Sequence, residues 1–306
     1  MNKLNYTKLT VFIFLFLGVT ACGKDDALPA DAGEPVDVNV NFITRAGDVT
    51  ETWEKGTCIR LYWTNFGENT PKEKVWQLLD QNQTWRVEGD ELLAILPATF
   101  EAYTPGDRER SQANAKWFSF WMMEHSDGKD ASIQNNTSAG RFMHEADWRT
   151  TDAPITISDP EQARFELVLK HRLCKVKVTL KNYGAGFDAM PTISDFRFRT
   201  AQTVVCNDDG SFTAEPGTQT IDVIPLEGAE NNCKTYTAIL APAAADTHFL
   251  TLTTKDGLVL KAYLPKALAS GCSYSFDLTV QKSEITATAT DAIQGWGNEN
   301  DEIEIK

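Results

Sequence analysis

The chain consists largely of short stretches in which apolar and polar residues alternate. In the first of them Val36, Val38, Val40 and Phe42 are separated by acidic and amide residues, which is the two-residue period of a half-buried β-strand. No stretch of ten or more residues shows a convincing helical period. Short strands that recur roughly every 8 to 12 residues, with turn signals between them, are typical of β-sandwiches and barrels. The sequence therefore predicts an all-β fold.

The order of these stretches predicts two β-sandwich domains in tandem. A Ser-Asp-Pro turn at 158–160 separates an N-terminal sandwich, residues 36–160, from a C-terminal sandwich, residues 161–306. Just after this turn, residues 165–169 and 174–180 carry their apolar side chains on opposite parities. We interpret this change of phase as a bulge or bend near His171 inside one long strand.

The first residues have the organisation of a secretory signal peptide. Lys3 and Lys8 precede an uncharged apolar run at residues 11–17, which is followed by small residues. A membrane-spanning helix needs roughly 20 apolar residues, so this run is too short to be a permanent anchor. We therefore predict a signal peptide at residues 1–21.

A lipid attachment site follows directly. Residues 19–22, Val-Thr-Ala-Cys, resemble the bacterial lipobox, in which the cysteine is acylated and becomes the first residue of the mature chain. Acyl chains on Cys22 would hold the protein on a membrane, and residues 22–35 would be a flexible, lipidated spacer. The acidic residues after Cys22 resemble an export signal for surface-exposed lipoproteins. The alternative is an ordinary leader with a chance cysteine.

The charge of the chain excludes some classes of partner. The 306 residues carry a formal net charge of −14, and removal of the leader takes away only two lysines. Nucleic acids and anionic lipid surfaces bind proteins through clustered Lys and Arg. We therefore expect no nucleic-acid partner.

No local signature of catalysis is present. The Gly-x-Ser-x-Gly, His-Glu-x-x-His and Walker motifs are absent, and the four histidines are scattered. Each histidine fits a surface or hydrogen-bonded position better than that of a metal ligand. These observations predict a protein that is not an enzyme and that needs no cofactor.

Two acidic segments and the cysteines are candidate sites for a metal ion or a disulfide. Residues 207–210 (NDDG) resemble a calcium loop but lack its first carboxylate, so they predict a hairpin turn. The acidic residues within 299–304 could hold a cation, although a solvated tail is the better interpretation, and we predict no metal site. Besides Cys22 there are five cysteines, and the sequence does not select a disulfide among them.

Tryptophans are concentrated in the N-terminal half. Seven of the eight lie there: Trp53, Trp63, Trp76, Trp85, Trp117, Trp121 and Trp148. Exposed tryptophans stack on sugar rings, whereas buried ones fill the core of a sandwich. We favour the core, because Trp63 and Trp117 lie inside strand patterns. The alternative function is that of a surface glycan-binding lipoprotein that uses tryptophans of this half.

Several stretches together resemble the Bacteroidales fimbrillins, the type V pilins. The lipobox, the spacer and the first strand occur in the order found in that family. The further stretches that carry the resemblance are 44–45 (TR), 53–62 (WEKGTCIRLY), 100–105 (FEAYTP), 165–176 (FELVLKHRLCKV), 271–274 (GCSY) and 293–296 (IQGW). The resemblance covers nearly the whole chain and implies two transthyretin-like Greek-key sandwiches.

The resemblance also implies a mode of assembly. In that family an arginine-specific protease cuts after the first strand, and the vacated groove accepts a strand from a neighbouring subunit. Here the scissile bond would join Arg45 and Ala46, and the removable strand would be residues 36–43, with Val36, Val38, Val40 and Phe42 inward. The candidate donor strands are residues 285–290 and 302–306.

The implied partners and location follow from the same resemblance. The partners would be other pilin subunits, of the same or another kind, together with the outer membrane through the lipid anchor. The resulting fimbrium would support adhesion to a ligand on a host or bacterial surface.

Overall fold

A computed structural model of the protein describes residues 33–46, 49–51, 53, 55–79, 85–87, 91–106, 114–120, 146–290 and 294–295. The predicted signal peptide, Cys22, the first part of the spacer and the acidic tail lie outside the described residues. Strands dominate the part that is described, and its one helical element is a single 3₁₀ turn, Pro160–Gln162. The predicted all-β fold is confirmed.

We call the residues up to His171 the N-terminal part. Its strands are, in chain order, β1 (Val36–Asp37), β2 (Asn39–Ala46), β3 (Val49–Glu51), β4 (Cys58–Thr64), β5 (Lys72–Leu78), β6 (Trp85–Val87), β7 (Leu93–Ala94), β8 (Ala98–Thr104), β9 (Trp117–Ser119), β10 (Arg149–Thr151), β11 (Ile155–Ile157) and β12 (Arg164–His171).

Most of these strands form one strongly curved sheet. Its order is β3-β2-β12-β10-β8-β4-β5-β6, with β11 also paired to β8, while β1 and β7 form a separate pair. The rings of Phe42 on β2 and Trp76 on β5 are 5.4 Å apart, although four strands separate β2 from β5 in the sheet. The sheet therefore curls over a hydrophobic core that includes Ile59, Leu61 and Phe100.

We call the residues from Cys174 onward the C-terminal part. Its strands are β13 (Cys174–Tyr183), β14 (Ile193–Ala201), β15 (Thr203–Cys206), β16 (Phe212–Ala214), β17 (Thr220–Val223), β18 (Leu226–Glu230), β19 (Cys233–Leu240), β20 (His248–Thr254), β21 (Val259–Tyr263), β22 (Cys272–Val280), β23 (Ile285–Ala289) and β24 (Gln294–Gly295).

The C-terminal part is built as a sandwich of two sheets. One has the order β18-β19-β13-β22-β23, with β24 on β22, and the other has the order β17-β14-β20-β21. Inward side chains of the two sheets meet in a second core: Phe196 stacks on Tyr236 with ring centroids 3.9 Å apart, and Phe249 lies 5.7 Å from Phe276. The alternating burial along β13 and β22 produces this shared face.

A third cluster joins the two parts. Strand β9 pairs with β15, which in turn pairs with β16, so that a strand of the N-terminal part completes a three-stranded sheet of the C-terminal part. Trp148 is fully buried between the rings of Phe118 at 5.6 Å and Phe212 at 5.1 Å. The two parts therefore share backbone hydrogen bonds and an aromatic core.

The prediction of one long strand with a bend near His171 is wrong. Residues 165–169 and 174–180 do carry inward side chains on opposite parities, but they belong to two strands, β12 and β13, in different sheets. The change of parity marks the passage from one core to the other. The division of the chain into two domains stays a proposal, and this change of core favours a boundary at residues 172–173 over one at residue 160.

Candidate functional site

The first strand passes between two sheets of the N-terminal part. Strand β1 pairs with β7, and the Val38 amide donates to the Leu92 carbonyl at 2.8 Å. The chain then changes partner, because the Asn39 amide donates to the Ala163 carbonyl at 2.8 Å and β2 runs parallel to β12 over seven residue pairs. The backbone of residues 36–45 is therefore paired along nearly its whole length.

The inward side chains of this strand lie in a hydrophobic slot. Val38 and Phe42 are each only 5% exposed and belong to the first core, and Val40 packs against that core while partly buried. Val36 is also partly buried, whereas the alternating residues at 37, 39 and 41 are exposed. We call this surface, formed by the edges of β7 and β12 and the facing core with Trp76, the first-strand slot.

Two polar side chains donate hydrogen bonds to the first strand near its C-terminal end. The Trp53 indole Nε1 donates to the Phe42 carbonyl at 2.9 Å, and Arg149 Nη1 donates to the Thr44 hydroxyl at 2.6 Å. Thr44 is fully buried, and the Arg149 guanidinium lies 5.1 Å above the Trp53 ring. In contrast, the hydrogen bond from Asn41 to Glu166 is on the exposed face.

A carboxylate and a histidine hold Arg149 in place. Asp147 Oδ2 accepts hydrogen bonds from Arg149 Nε at 2.7 Å and from Nη2, and Asp147 Oδ1 lies 2.5 Å from His171 Nδ1. Burial by itself would raise the pKa of the Asp147 carboxyl, but the Arg149 guanidinium and the His171 imidazole outweigh burial and hold that pKa well below its usual range. Asp147 is therefore ionised at neutral pH.

Sequence reasoning did not find Arg149 and Asp147. They lie about ten residues after a polar stretch, and a charged residue in such a segment indicates a solvated surface until the fold is known. The signal that was present is their two-residue spacing, which is the period of one strand face. His171 was expected at a surface or hydrogen-bonded position, and it is buried and hydrogen-bonded.

The predicted scissile bond lies at the end of a hairpin. Arg45 and Ala46 are the last residues of β2 and pair with Thr50 and Val49 of β3, and Arg45 also pairs with Lys170 of β12. The donor candidate 285–290 includes β23, the edge strand of its own sheet, where Ile285 is buried. The other donor candidate, residues 302–306, lies outside the described residues, as does Cys22.

Four tryptophans of the N-terminal half belong to the core. Trp53, Trp63, Trp76 and Trp148 are between 0% and 8% exposed, and Trp117 is partly buried. The side chains of the remaining ones lie outside the described residues. A cavity of about 690 Å³ in the C-terminal part is lined by residues such as Phe212, Leu240 and Phe249, and its lining includes no tryptophan. The interpretation as core residues is confirmed for the four buried side chains, and none of them is available to stack on a sugar.

Other candidate sites are absent from the described part of the chain. No group of three or more His, Cys, Asp or Glu there could hold a metal ion, and none of its helices is long and apolar enough to cross a membrane. Residues 207–210 form a hairpin turn in which Asp209 accepts hydrogen bonds from Ser211 and Gly210 has a φ of 81°. Five cysteines are free thiols: Cys58, Cys174, Cys206, Cys233 and Cys272.

Comparison with known proteins places this architecture in a family. A model of the fimbrillin-like family matches residues 44–296, which is most of the chain. The protein belongs to the fimbrillin-like family. Fimbrillins are structural proteins of cell-surface fimbriae, so this fimbrillin-like protein is not an enzyme. A search of curated proteins finds no match.

Solved structures share the fold of this fimbrillin-like protein. A proposed cell adhesion protein of Bacteroides uniformis has 18% sequence identity and a TM-score of 0.53, with 88% of this chain and 100% of the other covered. A second one, of Bacteroides ovatus, has 15% identity and a TM-score of 0.52, with 87% and 99% covered. A proposed adhesin of Bacteroides thetaiotaomicron has 13% identity and a TM-score of 0.50, with 87% and 99% covered. These similarities show the fold alone.

Proposed function

We propose that this fimbrillin-like protein is a structural subunit of a cell-surface fimbria that supports adhesion. It is exported as a lipoprotein acylated at Cys22 and carried to the outer membrane. It joins other pilin subunits, of its own or another kind, by strand exchange after its first strand is removed. The observation that carries the proposal is the seating of β2 in the first-strand slot, where Val38 and Phe42 are part of the core.

The apolar burial of the first strand is a large part of the stability of the protein, so its removal favours replacement by another strand. Burial of a large apolar side chain is worth about 1.5–3 kcal/mol, so Val38 and Phe42 together contribute roughly 3–6 kcal/mol. The net stability of a domain is only about 5–15 kcal/mol. A subunit without its first strand would expose an apolar slot and the unpaired edge of β12, both of which favour a strand from another chain.

Proteolysis between Arg45 and Ala46 would release the strand. Because Arg45 is paired on both sides, to Thr50 and to Lys170, the protease gains access only when the β2–β3 hairpin opens. The strand would then leave its place beside β12, and a donor strand would take that place in the same parallel direction. The cut therefore acts as the trigger of assembly.

The proposal is tested by polymerisation of the purified full chain after treatment with an arginine-specific protease. We expect ladders of polymers on a denaturing gel run without boiling, together with a new N-terminus at Ala46 by mass spectrometry. Arg45→Ala is expected to abolish both, whereas Arg86→Ala, which changes an exposed arginine on β6, is the matched control. A protein that is cut at Arg45 and remains a monomer would overturn strand exchange.

The lipid anchor has a separate test. Cys22→Ala is expected to move the protein from the membrane fraction to the soluble fraction of the native cell. The intact mass of the native protein should show acyl chains on Cys22 in the precursor. An unmodified Cys22 in a membrane-free precursor would contradict the lipoprotein assignment without affecting the tests of strand exchange.

A further inference from the structure

The side chains that hydrogen-bond to the Thr44 region belong to elements that remain in the protein after the first strand is removed. Arg149 is on β10, Asp147 precedes it by two residues, and His171 is the last residue of β12. To these contacts the first strand contributes the Thr44 hydroxyl and the Phe42 carbonyl. The vacated slot therefore keeps a guanidinium that points at the position of residue 44.

The Arg149 guanidinium is largely shielded from water, so water cannot easily replace a hydrogen-bond partner that it loses. The Arg149 side chain is 11% exposed and the Asp147 side chain 14%, so little water reaches the pair. Asp147 accepts from Nε and Nη2, and Nη1 donates to the Thr44 hydroxyl. Loss of the acceptor destabilises a protein more when the donor is buried than when it is exposed to water. The destabilisation is larger still when the buried donor is charged. A strand with an apolar residue at this position would take away the acceptor that Thr44 provides to Nη1.

We infer that Arg149, positioned by Asp147 and His171, selects the strand that fills the first-strand slot by requiring a hydrogen-bond acceptor at the place of Thr44. The inference rests on the proposed strand exchange and specifies the chemistry of the partner. The partner is an extended segment with a large apolar residue at the place of Phe42 and a hydroxyl, amide or carboxylate side chain two residues later. Both side chains point to the same inward face, because side chains alternate along a strand.

The parallel register adds to this selection. Phe42 is level with Leu167 of β12, and Thr44 is level with Leu169. A donor strand that slips by one residue would place its exposed polar side chains in the core and its apolar ones in water. A strand that slips by two residues would keep its faces but would bring an apolar side chain to Arg149. The acceptor requirement therefore fixes the register as well as the choice of strand.

Peptide exchange into the nicked full chain tests the inference. A site-specific protease sequence in place of Gly47 and Asp48 allows the chain to be cut with every strand still present. Labelled peptides of residues 34–46 are then allowed to compete for the slot. We expect the Thr44→Val peptide to bind about tenfold more weakly or worse than the unchanged peptide. The Thr44→Ser peptide, which keeps the acceptor, should recover most of the affinity.

Matched controls separate selection by Arg149 from general effects on the strand. Asn41→Ala removes a hydrogen bond of the same strand that lies on the exposed face, so it should change binding by about twofold at most. In Arg149→Met protein the unchanged and Thr44→Val peptides should bind equally, and Arg149→Leu, which also lacks the donor, serves if the methionine variant does not fold. A merely structural role of Arg149 would weaken both peptides and leave their ratio unchanged.

The outcomes distinguish the inference from the proposed function. Exchange of the unchanged and Thr44→Val peptides with equal affinity would overturn the role of Arg149 and leave strand exchange intact. Exclusion of every peptide from the nicked chain would overturn strand exchange, and the inference would fail with it. A preference for the acceptor peptides that disappears in the Arg149 variant supports both.

Discussion

At the scale of single residues, Phe42 is the strongest apolar anchor of the first strand. Its ring packs 5.4 Å from Trp76 and is 5% exposed. We expect Phe42→Ala to lower the free energy of unfolding by about 3–5 kcal/mol, because the substitution leaves a cavity against the core. Chemical denaturation of the uncut chain measures the change. Asn39→Ala, at an exposed position of the same strand, should cost less than about 0.5 kcal/mol.

Asp147 links the stability of this region to pH. Because the pKa of its carboxyl is lowered in the native state, it contributes stability that is complete above its ordinary value of 3.8 and is lost as the pH falls through the lower native value. At pH 7 we expect Asp147→Asn to destabilise the protein by about 3 kcal/mol or more, since it breaks a buried pair. The difference from the unchanged protein should shrink between roughly pH 4 and pH 2.

Denaturation curves across this range check the prediction. Asp188→Asn, which changes an exposed carboxyl of the C-terminal part, is the control for the titration of surface groups. A difference between Asp147→Asn and the unchanged protein that stays constant down to pH 2 would contradict the role of Asp147 as the counter-ion of Arg149.

At the scale of elements, the sequence predicts the first strand well but not its neighbours. The alternation from Val36 to Phe42 identifies the inward face, because burial on one side of a sheet leaves a local two-residue period. It does not identify β12 as the partner of β2, since Asn41 and Glu166 are 125 residues apart and no local signal joins them. Arg149 and Asp147 escape prediction for the same reason: only pairing between distant strands brings them under Thr44.

The hairpin of β2 and β3 controls access to the predicted cut. Strand β3 has three residues, and the pair Arg45–Thr50 lies in its middle. The neighbouring pair, Thr44 and Glu51, carries the backbone hydrogen bonds of the hairpin, so proline at residue 51 removes a backbone donor and weakens the hairpin. We expect Glu51→Pro to raise the rate of cleavage after Arg45 about fivefold or more, because local opening precedes cleavage.

A timed digestion followed by mass spectrometry measures this rate. Cleavage after Arg164, an exposed residue at the start of β12, is the internal reference and should be unchanged. If Glu51→Pro accelerates both cuts equally, the effect is general destabilisation, and opening of the hairpin does not limit cleavage.

At the scale of the whole molecule, the junction between the two parts is the feature that sequence patterns hide. The apolar run at residues 116–123 predicts a strand that is buried on both faces. Strand β9 covers residues 117–119 of this run, where Phe118 and Ser119 are buried and Trp117 is half-buried. Its partner β15 lies in the C-terminal part, which a division of the chain at a turn does not reveal. Arg172 adds to the junction, because it donates to Thr150 and lies 4.5 Å from the Phe212 ring. The two parts are therefore coupled by an aromatic cluster and by a buried cation.

This coupling predicts cooperative unfolding. Tryptophan fluorescence reports on the N-terminal part, which holds Trp53, Trp63, Trp76 and Trp148, and labelling of the buried Cys174 reports on the C-terminal part. We expect the two probes to give one coincident transition in denaturant. Phe212→Ala should separate them, because it removes the ring that lies between Trp148 and Arg172.

An exposed ring outside the junction cluster provides the control. Phe66 is 44% exposed and lies away from the junction cluster, so Phe66→Ala should leave the two transitions coincident. Separate transitions in the unchanged protein would mean that the junction does not couple the parts. A fimbrial subunit that passes load from its first-strand slot to its C-terminal sandwich needs such coupling. Strand β12 forms one wall of the slot and is separated by only two residues from β13, which belongs to the second core.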